Sequence, residues 1–130
     1  MRIVFLSLSL FLMLLMAGCE KDEERESLPV EGTWSLLLYA NGEHEEAYNK
    51  NDIIWKFNKY NELVVTMNIE LPDTSELPVK EDGVYPYVAS PEVISLEGTQ
   101  YAVSREGNTL ILDHNSAAGG FYIQLELVEE

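Results

Sequence analysis

Leu63-Val64-Val65-Thr66-Met67-Asn68-Ile69-Glu70-Leu71 is the stretch on which the fold turns. Positions 63, 65, 67, 69 and 71 are apolar, and Val, Thr, Asn and Glu stand between them. Successive side chains of an extended chain point to opposite faces, so this pattern predicts a β-strand with one buried face. Phe121-Tyr122-Ile123-Gln124-Leu125-Glu126-Leu127 repeats it, with Phe121, Ile123, Leu125 and Leu127 on one side. Ile53, Trp55 and Phe57 alternate with Ile54, Lys56 and Asn58. Trp34, Leu36 and Leu38 alternate less cleanly with Ser35, Leu37 and Tyr39. Shorter strands are expected over residues 92–96, 100–105 and 109–113.

Between these runs lie Asn41-Gly42, Asp82-Gly83, Glu97-Gly98, Glu106-Gly107-Asn108 and Gly119-Gly120. All are pairs or triplets that tolerate a positive φ and so close turns. No sustained 3.6-residue period follows the first nineteen residues. Seven or eight short strands joined by turns predict an all-β fold, an antiparallel barrel or sandwich.

Composition narrows the possible functions. The chain has 130 residues, with Asp+Glu 23 against Lys+Arg 8 and a formal charge of -15. That length suits one domain, and a hydrophobic content of 46% is enough for a core. The acidic balance argues against nucleic acid, whose phosphates need clustered Lys and Arg. A single cysteine excludes an intrachain disulfide and a Cys-cluster zinc site.

The chain opens with Arg2 and an apolar run over residues 3–16, interrupted by Ser7 and Ser9. A helix of that length rises roughly 21 Å, short of the roughly 30 Å hydrocarbon core. A positive start, a short apolar stretch and small residues after it describe a secretory signal peptide, here residues 1–18. Leu15-Met16-Ala17-Gly18-Cys19 resembles the lipobox of bacterial lipoproteins, in which cleavage before the cysteine makes it the lipidated N-terminus. The resemblance implies lipidation of Cys19 and a membrane as partner, and it gives the unpaired cysteine of an exported chain a purpose. Glu20-Lys21-Asp22-Glu23-Glu24 is similar to the export signal of surface lipoproteins in the Bacteroidetes, implying an outer-membrane protein exposed at the cell surface. By composition, residues 19–31 are a solvated acidic tether and residues 32–130 the folded domain.

Gly32-Thr33-Trp34 stands at the start of the first strand, as Gly-x-Trp does in lipocalins. With Trp55-Lys56-Phe57, Tyr101, Asn108-Thr109-Leu110 and Tyr122-Ile123-Gln124-Leu125 the pattern resembles small lipocalin-like lipoproteins of the Bacteroidetes. The resemblance implies an up-and-down β-barrel of seven or eight strands. The later lipocalin motifs, including the arginine that packs on the signature Trp, find no match in the pattern.

Catalytic and metal signals are weak. His44 lies in Glu43-His44-Glu45-Glu46 without the second histidine of a zinc protease motif. Asp113, His114 and Ser116 supply the residue types of a triad, yet no Gly-x-Ser-x-Gly elbow is present. Asp73 to Glu76 and Glu81-Asp82-Gly83 do not match a calcium loop, and no phosphate-binding glycine motif occurs. The expectation is a non-enzymatic binder without metal or cofactor.

Its ligand would be small and apolar or amphipathic, held inside the barrel by Trp34, Trp55, Phe57, Met67, Tyr101 and Phe121. Trp34 is also expected to plug one barrel end. The alternative is a protein-interaction module without a pocket, whose charge favours a basic surface partner. For that reading Tyr85 and Tyr87, set among prolines in the loop over 72–91, form an exposed edge; packed against the barrel, they do not.

Overall fold

A computed structural model describes residues 28–129, a closed antiparallel β-barrel. Nine strands follow in chain order: β1 (Gly32–Ala40), β2 (Glu45–Ala47), β3 (Ile53–Phe57), β4 (Glu62–Met67), β5 (Gly83–Ala89), β6 (Val93–Leu96), β7 (Thr99–Glu106), β8 (Thr109–His114) and β9 (Phe121–Glu129). Each strand from β3 to β9 pairs with the next, and β9 returns to β1 from Thr33↔Glu129 to Ala40↔Tyr122. That last pairing closes an eight-stranded ring. The short β2 is extra: it pairs with the far half of β1 at Leu38–Ala40, while β3 takes the near half at Gly32–Ser35.

Alternation decides what fills the ring. Trp34, Leu36, Ile53, Trp55, Phe57, Leu63, Val65, Leu110, Leu112, Ile123 and Leu125 all turn inward and are buried in one continuous core. A register shift between Leu36 and Leu38 breaks the period of β1, so Tyr39 rather than Leu38 continues its inward face. This bulge is why the alternation there looks irregular in sequence.

Two expectations on strands are corrected. The strand over residues 63–71 stops at Met67. Beyond it Asn68 donates its backbone N–H to Asp52 (2.8 Å) and its side-chain amide to Asn51 (2.8 Å), which turns the chain off the ladder. Residues 83–89, expected to be loop, form β5 despite Pro86. The Tyr87 N–H points to β4, where it meets the Asn61 carbonyl (3.0 Å). Neighbouring nitrogens alternate, so the Pro86 nitrogen faces the other side, beyond the end of β6, where the ladder needs no donor.

The upper end of the barrel carries the β1–β2, β4–β5, β6–β7 and β8–β9 connections. The lower end carries the incoming chain and the β3–β4, β5–β6 and β7–β8 turns. The folded body reaches back ahead of Gly32: Glu31 N–H bonds the Leu28 carbonyl (3.0 Å), and Val30 is fully buried. The expected signal peptide, Cys19 and most of the tether lie outside the described residues.

Candidate functional site

The residues expected to line a hollow interior divide into two groups. Trp34, Trp55, Phe57 and Tyr101 are at most 1% exposed and pack on one another's neighbours as core. Met67 and Phe121 are partly buried against that core near the upper end. The exposed tyrosine edge is corrected: Tyr87 is 2% exposed, its ring edge-on to Phe57 at 5.2 Å and its hydroxyl on the Asn58 carbonyl (2.7 Å). Tyr85 is half-buried and donates to the Glu81 carbonyl (2.9 Å). Both stand on the inward face of β5, which leaves Val84 and Val88 outside.

The lower end is plugged. Trp34 Nε1–H donates to the Val30 carbonyl (2.8 Å), and the Arg105 guanidinium lies 5.1 Å over the Trp34 ring. Arg105 also donates to the carbonyls of Gly107 (3.1 Å) and Pro29 (3.2 Å). A cation on the electron-rich face of an indole is attracted to it. Sequence reading missed this arginine, although it stands in phase with Tyr101 and Val103 on the inward face of β7, because only barrel closure brings it to β1.

Above, residues 72–80 fold back toward β2 as a strap. Leu77 and Val79 drop into the core, and Glu46 holds the strap in place. Glu46 lies on the inward side of β2, opposite Tyr39, and is 8% exposed. Its carboxylate accepts from Ser75 Oγ (2.6 Å), Tyr48 hydroxyl (2.6 Å), Glu76 N–H (2.8 Å) and His44 Nε2 (3.0 Å). Burial alone would raise its pKa; the four hydrogen bonds outweigh it and hold the carboxyl below the usual range. The same burial and the carboxylate beside it push the Tyr48 hydroxyl up to about 12.

An open cleft of about 470 Å³ lies on the outer wall of β6–β8, beneath the β8–β9 turn. Val93, Ala102 and Ala117 give it apolar surface; Gln100, Asp113, His114, Asn115 and Ser116 give it polar groups, and Tyr101 contributes to its lining. The turn above is tightly built. Asp113 accepts from the Ser116 N–H and hydroxyl (2.8 Å each). Gly120 packs so close to the His114 carbonyl that a Cβ there would sit 1.7 Å from the oxygen. His114 Nδ1 meets the Gln100 carbonyl (3.0 Å), which only accepts, so the neutral ring keeps its proton on Nδ1 and offers Nε2 as an acceptor. The ring lies tilted against Phe121 at 5.4 Å and edge-on to Tyr101 at 6.1 Å.

Asp113 and Ser116 bond each other directly, and His114 faces Gln100, so these three side chains form no serine–histidine–aspartate relay. Among the described residues no group of three or more His, Cys, Asp or Glu is placed to hold a metal ion, and no helix is long and apolar enough to cross a membrane. Among the described residues the buried Trp55 Nε1 and Tyr101 hydroxyl make no hydrogen bond of good geometry, the Thr99 side chain being a weak partner of the latter. Burial pushes the Tyr101 pKa up to about 12.

No protein-family model, no curated protein and no solved structure matches this chain.

Proposed function

We propose that this is a lipid-anchored, lipocalin-like barrel at the outer membrane, non-enzymatic, which binds a small amphipathic ligand on its outer wall instead of in its interior. The cleft beneath the β8–β9 turn carries this reading. Its volume falls within the roughly 300–1,000 Å³ of small-molecule sites, and it sets apolar Val93 and Ala102 beside polar His114 and Gln100. The interior supports no such role, because the side chains once expected to hold a ligand there pack as core. The packed Trp34, with Arg105 over its ring, supports the lipocalin-like part of the reading. Export and lipidation rest on the sequence around Cys19.

Native mass spectrometry of the mature chain carrying Cys19→Ser, exposed to a lipid and metabolite extract of its own cells, tests the proposal. A bound mass that Ala102→Trp displaces, with the circular dichroism spectrum unchanged, supports a wall site. A bound mass indifferent to Ala102→Trp, or none across repeated extracts, overturns it. The packed interior also favours a second reading, a protein-docking module without a ligand. A partner retained by the Ala102→Trp variant and no small molecule in either form is its signature.

A further inference from the structure

Large apolar side chains standing exposed on this acidic protein are unevenly placed. Tyr60 (70% exposed) is in the β3–β4 turn, Val88 (75%) near the end of β5, Val93 at the start of β6, and Val128 near the end of β9. Tyr60, Val88 and Val128 belong to the lower end of the barrel, Val93 lines the wall cleft, and Val84 is the one other large exposed apolar side chain among the described residues. The Tyr87 N–H bonds the carbonyl of Asn61, which sets the β3–β4 turn that holds Tyr60 against the end of β5 that holds Val88. The described chain begins at the same end: Pro29 is tied to Arg105, and Val30 to Trp34.

We infer that the lower end of the barrel rests on the lipid surface that anchors the protein, with Tyr60 and Val88 dipping into the headgroup region. The inference rests on the proposed lipidation of Cys19. Only residues 20–27 separate that anchor from Leu28, a reach of about 30 Å even fully extended. The barrel is therefore confined near the bilayer, and the end that receives the tether is the end that meets it.

The chemistry of the patch fits an interface. An aromatic ring with a polar tip is at home at headgroup level, and valine side chains lose their exposed surface there. Lys59 lies beside Tyr60, its ammonium 5.5 Å from the ring centre, and its long stem can reach a lipid phosphate while the ring stays lower. The opposite end is unsuited to a bilayer. Its connections carry Glu43, Asp73, Glu76, Glu81 and Asp82, which a negatively charged surface repels, whereas the lower end sets Glu62, Glu92 and Glu106 beside Lys59 and Arg105 and is the less acidic of the two. This orientation turns the strap and its Glu46 latch away from the membrane.

Because Cys19 is the only cysteine and lipid occupies it in the mature protein, a cysteine introduced elsewhere is a unique labelling site. Tyr60→Cys, Val88→Cys and, for the upper end, Glu97→Cys variants of the lipidated protein are labelled with an environment-sensitive fluorophore. Each is then reconstituted in phosphatidylethanolamine–phosphatidylglycerol vesicles. The expected result is a blue-shifted, severalfold brighter signal, quenched by brominated lipid, at positions 60 and 88 and not at 97. Protein that floats with the vesicles yet shows water-like labels at 60 and 88, or equal signals at all three positions, overturns the inference. Protein that fails to float overturns the lipidation reading on which the inference stands.

Discussion

Single side chains in this barrel carry unequal weight, and Glu46 carries the most outside the core. Glu46→Ala leaves the Ser75 and Tyr48 hydroxyls and the Glu76 N–H without their acceptor, and a cost of roughly 2–3 kcal/mol is expected in urea denaturation. The carboxyl's pKa is lowered on folding, so its stabilisation is full above the ordinary glutamate value of 4.5 and fades as pH falls through the lower folded value. The Tm difference between the protein and Glu46→Gln should therefore be constant above about pH 5.5 and shrink in more acidic solution, a window set by this linkage. Tyr101→Phe makes the opposite case. It removes a buried hydroxyl that makes no hydrogen bond of good geometry, so stability is expected to stay level or rise, and a loss above about 1 kcal/mol would show that Thr99 or ordered water satisfies the hydroxyl. Neither role is legible in the chain. Glu46 looks like one more acid in Glu43-His44-Glu45-Glu46, and only the strap arriving from residues 75 and 76 distinguishes it.

At the scale of elements, alternation was a good guide wherever a strand has one wet face and one dry face. β3, β6, β7, β8 and β9 stand within a few residues of where the pattern predicts them. It failed for β2, which is short and acidic, and for β5, where Pro86 mimics a loop. Both are strands only because a neighbour supplies the ladder. The strap and the β8–β9 turn are the elements most open to test. Leu77→Ala should cost about 2–4 kcal/mol and raise hydrogen exchange in the strap and β2 together, since a cavity opens where its side chain enters the core. Gly120→Ala forces a Cβ into the His114 carbonyl and is expected to destabilise by about 1–3 kcal/mol. Amide chemical shifts of Asn115 and Ser116, at the mouth of the cleft, should move with it; unchanged shifts would mean that the turn absorbs the methyl group without rebuilding.

For the whole molecule, closure of β1 on β9 is the decisive contact. It joins the ends of the described chain across the full length of both strands, so the amides of β1 and β9 should exchange only by global unfolding. A chain ending at His114 should show no cooperative melt in circular dichroism, because it leaves both sheet edges unpaired. Arg105→Ala should weaken the lower plug, and Arg105→Lys should recover part of the loss, since an ammonium keeps the charge over Trp34 without the guanidinium's planar fork. The sequence by itself determined the all-β class, most strand positions and the turns. Each is encoded in neighbouring residues, through period, φ tolerance or local motif. Only the tertiary structure decided that Arg105 covers Trp34, that Tyr85 and Tyr87 face inward, that the expected ligand-holding side chains pack as core, and that an open cleft lies on the outer wall. These follow from barrel closure and register, which bring together residues far apart in the chain.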